Sequence, residues 1–262
     1  MRRCFVSMDV ENDLNADTFN GIKSMPVLLS IFEKYGIRAT LFVTADILKR
    51  FPEQVKTWSK NHEIGCHGYY HEPLYKYNKE ERKKQMKMFL DLYEEVLGEK
   101  PKGFRAVQHT IDQDMINLLE KENFSYDSSV IPRYIPFRKY VGYKGKAPVL
   151  PYYPSKKNYL LVGSLKILEI PITPILFGFS LYGTWLRLFG VTFYKFLFAL
   201  KKPHFIGLSM HPWDAQIYKG TYSRNSGKPF LTKLDALLKY LKKHYKFVSG
   251  DEIFENTDRR VQ

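Results

Sequence analysis

Short apolar runs rich in β-branched residues alternate along the chain with longer stretches whose apolar residues recur every three or four positions. The runs "RCFVSMDV", "RATLFVTA", "EIGCH", "KGFRAV", "SYDSSV", "SLKILEIPI", "HFIGLSMH" and "YKFVSG" read as strands. Between them, "NGIKSMPVLLSIFEKYGI" carries Leu28, Leu29, Phe32 and Tyr35 at helical spacing. "KEERKKQMKMFLDLYEEVLG" repeats the pattern with Met86, Phe89, Leu90, Tyr93 and Leu97, and closes on Gly98. "PEQVKTWSKNH", "DQDMINLLEKENF", an apolar stretch after Ile172 and "LTKLDALLKYLKKH" complete the helical set. Such alternation predicts parallel strands joined by helical crossovers. About seven such strands in 262 residues predict a closed or nearly closed α/β barrel more than a flat sheet. No linker, repeat or low-complexity tract divides the chain, so residues 1–262 are expected to form a single domain. An insertion or lid is expected at about 132–160, where five prolines and many aromatics fall together.

Charge changes this picture. The net charge is +14, and between Ser128 and Trp213 stand twelve Lys and Arg against one carboxylate, Glu169. A basic face without acids favours an anionic partner: an acidic membrane surface or a phosphate-bearing substrate. No nucleic-acid reader motif accompanies it, and no nucleic-acid partner is expected. Cys4 and Cys66 are the only cysteines, and both lie in strand-like runs, which excludes a disulfide scaffold or a thiolate metal site. The N-terminus "MRRCFVSMDVEND" reaches acidic residues too soon for a signal peptide, so a cytoplasmic location is expected. "IPITPILFGFSLYGTWL" contains Pro171 and Pro174 and is too short for a convincing span. It reads as core with an interfacial surface, peripheral at a membrane.

The candidate chemistry lies at strand ends. Asp9 and Glu11 end the first strand, His67 the third and His211 the "HFIGLSMH" run, while Arg105, Asp127 and Glu169 fall at the ends of intervening strands. His71 follows His67 by four residues, a spacing that could share one helical face but by itself does not identify ligands. In a parallel barrel all strand C-termini open on one face, where chemistry is found. Two imidazoles and one carboxylate leave open positions on a divalent cation, as hydrolytic zinc sites do. A second carboxylate could act as base, a further histidine could protonate a leaving amine, and an arginine could hold the base ionised.

With these residues in place, the sequence resembles the polysaccharide deacetylase family, the NodB-homology or carbohydrate esterase family 4 fold. The resemblance is to the branch whose first motif is S-x-D-V-E. That motif reads "SMDVEND", the His-x-x-x-His motif "HGYYH", the third "GFRAVQHTID" with "FSYDSSVIP" after it, the Glu-Ile-Pro element "LEIPIT" and the last "LSMHPWDA". The match runs from about Phe5 to Gly250. It implies a distorted (β/α) barrel and metal-assisted hydrolysis of an N-acetyl or other N-acyl group on an amino sugar, with zinc the usual ion.

By position, Asp9 matches the general base, Glu11, His67 and His71 the metal ligands, Arg105 the tether of the base, and His211 the general acid oriented by Glu169. Relatives have Asp where Glu11 stands, and Asp13 is an alternative ligand. Val107 replaces a proline beside a backbone N–H that would stabilise the oxyanion. His109 is an added titratable group, Asp127 either lines the pocket or bonds Ser128 and Ser129, and Asp214 either buttresses His211 or caps the next turn. The basic block points to a sugar carried on phosphate, a polyprenyl- or nucleotide-linked glycan precursor, with the phosphate near Arg133, Arg138, Lys139, Lys144 or Lys146. The competing reading is a catalytically impaired deacetylase-like protein that binds a glycan without turnover.

Overall fold

Among the described residues ten strands join one sheet, and the pairing pattern explains its shape. The structure, a computed structural model, describes residues 2–14, 16–132, 146–172, 174–176, 179–218 and 223–257. The strands are β1 (Arg3–Val10), β2 (Thr40–Val43), β3 (Glu63–Cys66), β4 (Gly103–Phe104), β5 (Tyr126–Asp127), β6 (Leu168–Glu169), β7 (Pro174–Leu176), β8 (Phe179–Tyr182), β9 (Phe205–Met210) and β10 (Lys246–Val248). The helices are α1 (Met25–Tyr35), α2 (Ala45–Arg50), α3 (Pro52–Ser59), α4 (Lys79–Leu97), α5 (Gln113–Lys121), α6 (Gly183–Lys201), α7 (Lys228–Leu241) and α8 (Gly250–Glu255). The order across the sheet is β6-β5-β4-β3-β2-β1-β9-β8-β7. Every ladder is parallel except β7–β8. β9 occupies one edge of β1 over Arg3–Met8, and the other edge is shared by β10 at residues 3–5 and β2 at residues 7–10. The sheet curls into a half-barrel with helices around it, in agreement with the expected distorted (β/α) barrel.

The period of two along each strand divides the core into two compartments. Cys4, Val6, Met8 and Val10 of β1 join the large cluster against the helices. Phe5 faces inward and packs with Phe42, Tyr126, Leu168, Ile170, Phe205 and Val248. Each such fully buried side chain contributes roughly 1.5–3 kcal/mol. This inner cluster fills the floor of the half-barrel, and the polar residues two and four positions further along the strands sit above it.

Several expectations are corrected here. The apolar stretch after Ile172 was read as helix throughout; it opens instead with the antiparallel β7–β8 hairpin, where the prolines at 171 and 174 deny a helix its N–H donors. The short helices α2 and α8 have too few turns to show a period. Of the expected insertion at 132–160, residues 133–145 lie outside the described residues. The part that is described lies against the barrel edge: Tyr152 and Glu169 exchange backbone hydrogen bonds of 3.0 and 2.8 Å, and Tyr153 enters the inner cluster. Both cysteines are buried free thiols. Among the described residues no helix is long and apolar enough to cross a membrane.

Candidate active site

β1 delivers two carboxylates by its alternation. Phe5, Ser7 and Asp9 follow one another on the inner face, and Glu11 continues the line just beyond the strand. His67 directly follows β3. The chain then turns at Gly68, whose φ of +91° is costly for any residue with a Cβ, and returns His71 to the same point. The two histidines therefore converge through a loop, not along a helical face. Glu11 Oε2 lies 3.0 Å from His67 Nε2 and 2.7 Å from His71 Nε2. The three ligand atoms lie within 4.8 Å of one another.

His67 Nδ1 lies 2.8 Å from the Arg105 carbonyl oxygen. That carbonyl accepts the Nδ1 proton and turns Nε2 toward Glu11, where it would offer its lone pair to a cation held between them. One carboxylate oxygen and two imidazole nitrogens form a donor set suited to zinc or a similar divalent ion. Burial alone would raise the Glu11 carboxyl; hydrogen bonds with both imidazoles outweigh it and hold it well below the usual carboxylate range.

Arg105 is the organising cation. Its guanidinium is fully buried, lies 4.2 Å over the Phe42 ring and spends its donors on five acceptors. Nη1 donates to Asp9 Oδ1 at 2.6 Å and to the Ser7 and Ser209 hydroxyls at 3.0 Å each. Nε donates to the Ser128 carbonyl at 3.0 Å and Nη2 to its hydroxyl at 2.9 Å. Burial would raise Asp9, but Arg105 and the neighbouring imidazoles bring it below its ordinary value. Asp9 is therefore an anion held under tension between a cation and a pocket.

His211 stands across from both carboxylates, at the end of β9. Its Nε2 is 3.6 Å from Glu11 Oε1 and 3.9 Å from Asp9 Oδ2. The Trp213 indole stacks on the imidazole at 4.2 Å. Asp214 is fully buried behind it: Oδ2 accepts the His211 backbone N–H at 3.0 Å and lies 3.8 Å from Nδ1, while Oδ1 pairs with Arg187 Nε of α6 at 2.9 Å. Gly183 permits this approach, since a Cβ there would collide with the Asp214 carboxylate. Burial would lower His211, but Asp214, Glu11 and Asp9 together raise it.

Glu169, expected to orient His211, points away from it, whereas Asp214, the alternative buttress, lies 3.8 Å from its Nδ1. Leu168 and Ile170 face the inner cluster, so the residue between them points to the other face of the sheet. There Glu169 pairs in register with Asp127 and accepts the Val130 N–H at 3.0 Å. Asp127 accepts the Ser129 hydroxyl at 2.6 Å and lies outside the pocket. Asp13 is likewise committed elsewhere, accepting from Thr18 and from the backbone of Asn20 and Gly21 at 2.6–2.7 Å.

The Ala106 N–H is taken by Ser129 Oγ at 2.8 Å, so any oxyanion donor after Arg105 comes from Val107 onward. His109 lies 2.5 Å from the Tyr182 hydroxyl, and burial with the charge of Arg105 lowers it to about 3, a neutral imidazole. Of the basic residues expected to meet phosphate, Arg133, Arg138, Lys139 and Lys144 lie outside the described residues, and Lys146 is exposed. Sequence reasoning missed Arg187 and the Ser7, Ser128 and Ser209 hydroxyls. The serines are legible as inner positions of β1 and β9 and of the residue just beyond β5; Arg187, inside an apolar helix, carries no such signal.

Residues 16–126 match the polysaccharide deacetylase family, a segment that holds His67, His71 and Arg105 but not Asp9, Glu11 or His211. A peptidoglycan deacetylase-like protein of Gibberella zeae is 33% identical over 122 residues, 45% of this chain and 36% of that protein. A peptidoglycan deacetylase of Helicobacter pylori is 33% identical over 125 residues, 47% of this chain and 42% of that protein. The chain thus spans less than half the length of either curated relative. Among solved structures, a polysaccharide deacetylase-type protein of Mycobacterium smegmatis aligns over 97% of this chain and 90% of its own, with a TM-score of 0.68 and 18% identity. A carbohydrate esterase family 4 pseudoenzyme of Bacillus anthracis aligns over 98% of this chain and 66% of its own, with a TM-score of 0.60 and 13% identity. At these identities the solved structures establish the fold.

Proposed function

Residues 16–126 carry the pattern of the polysaccharide deacetylases, and from that premise we propose that the protein is a metal-dependent hydrolase that removes an N-acetyl group from an amino sugar of a glycan. The observation that carries this reading is the meeting of Glu11, His67 and His71 at 2.7 and 3.0 Å beside an Asp9 paired with Arg105 and facing His211. A divalent cation, zinc by the character of its donors, would be held by Glu11, His67 and His71 and would polarise the acyl oxygen and acidify a water. Asp9, kept ionised by Arg105, takes the proton from the attacking water. His211, whose hold on a proton Asp214, Glu11 and Asp9 strengthen, gives a proton to the departing amine. The Val107 N–H, the next backbone donor after that of Ala106, would serve the developing oxyanion. Tyr70 and Tyr75, both exposed on the loop that carries His71, offer ring faces to a sugar.

The basic block supports a finer reading of the substrate: a glycan precursor on a phosphate, polyprenyl- or nucleotide-linked, met at the cytoplasmic side of a membrane. Incubation of the zinc-loaded protein with N-acetylated oligosaccharides and with polyprenyl-phosphate-linked precursors should release acetate. A chelator and Asp9→Asn should each abolish the release, the latter by about a thousandfold or more. Val107, standing where relatives carry proline, supports the competing reading of a glycan-binding protein without turnover. That reading predicts glycan binding by the wild-type protein with no acetate from any substrate.

A further inference from the structure

We propose that the outward face of α6 docks on the surface of an anionic lipid bilayer. Leu188 and Phe189 are 43% and 39% exposed, and beyond the bend at Gly190 Phe196 and Leu200 are 64% and 69% exposed. Beyond that bend Phe196 and Leu200 are four residues apart, so they stand on one side of this part of the helix. The same helix contains no carboxylate. Lys195, Lys201 and the following Lys202 are exposed around the apolar residues, and Arg187 alone turns inward, to Asp214.

α7 extends the charge. It packs beside α6, with Tyr240 stacked on Phe198, and carries exposed Lys239 with Lys242 and Lys243 just beyond its end. From Gly183 to His244 the sequence has two carboxylates. Asp214 is buried against Arg187, and Asp235 pairs with Lys34 at 2.6 Å. A cationic surface around exposed Phe and Leu is complementary to anionic headgroups above an acyl boundary, the arrangement of an interfacial helix. A neutral or basic protein surface would meet these lysines with no opposing charge. Since no described helix can span a bilayer, the contact is peripheral. The first turns of α6 also hold Arg187 against Asp214, which joins the docked helix to the pocket holding His211.

This inference goes beyond the deacetylase reading and stands without it. The full chain is mixed with sucrose-loaded vesicles of equal phosphatidylcholine and phosphatidylglycerol, or of phosphatidylcholine alone, and sedimented. Binding is expected to the mixed vesicles, at least tenfold weaker to neutral ones and weakened by salt. F196E/L200E should reduce binding to the mixed vesicles at least tenfold, and K195E/K201E/K202E severalfold, while the circular dichroism spectrum and melting temperature of both stay as in wild type. No sedimentation of the wild-type protein with either vesicle, or full binding by F196E/L200E, overturns the proposal. So does light scattering that gives a dimer for the wild-type chain and a monomer for F196E/L200E, since a second copy would then cover the face.

Discussion

Two pairs of buried carboxyl groups sit at the strand ends of this barrel, and they have opposite fates. Asp9 and Glu11 lie on the inner line of β1, where Arg105 and three imidazoles face them, and both are held below their ordinary range. Asp127 and Glu169 lie on the other face of β5 and β6, buried together without a direct cation. Burial and the charge of Asp127 push Glu169 well above the usual carboxylate range, and burial raises Asp127. The first pair is shifted toward the ionised form, as the proposed base and ligand require; the second is shifted toward the protonated form. Position at a strand end is common to both, so the parity of the residue on its strand and the presence of a cation decide which pair does chemistry.

The comparison can be broken most severely at Arg105. Arg105→Met leaves Asp9 buried and unpaired, and thermal or denaturant unfolding should show a loss of about 3–5 kcal/mol. His67→Ala removes one of three donors, and zinc affinity measured by competition with a chelating dye should fall more than about 100-fold. Its fold should persist, because His67 is not part of the inner cluster.

Asp214→Asn sharpens the assignment of the orienting residue. It should lower kcat about tenfold and move the alkaline limb of the pH–rate profile to lower pH. The sign follows from His211: Asp214 raises its pKa, so without that charge the acid form is lost at lower pH. A profile that keeps its shape would show that Asp214 is only a turn cap.

The smallest effect belongs to Glu169→Gln. A carboxyl raised in the folded protein stabilises it below the unfolded value near 4.3 and withdraws that support as pH rises through the folded value. The wild-type melting temperature should therefore decline as pH rises above about 4.3, and the Gln variant should decline less, with activity retained.

Much of this was legible in the sequence. The β1, β2, β3 and β9 strands and the α1, α4 and α7 helices follow directly from hydrophobic period; the pocket residues Asp9, Glu11, His67, Arg105 and His211 are marked by their places at strand ends, and His71 by its spacing from His67 and the His-x-x-x-His motif. Motif order does not reveal which way a short strand faces. β6 has only Leu168 and Glu169 in its ladder, and the inward turn of Leu168 and Ile170 is what sends Glu169 away from His211. The sequence already offers Asp214 as a buttress of His211 or a cap, but not its partner Arg187, which stands in an apolar helix after a hairpin that local pattern did not predict. Tertiary packing brings these two together, and neither residue's neighbours in sequence record it.

The most direct measurement is acetate release from one N-acetylated oligosaccharide by Asp9→Asn and Glu169→Gln, side by side, each zinc-loaded and folded. The account predicts no detectable release from the first and release within about threefold of wild type from the second. Equal loss in both, or a working Asp9→Asn beside an inert Glu169→Gln, would contradict it.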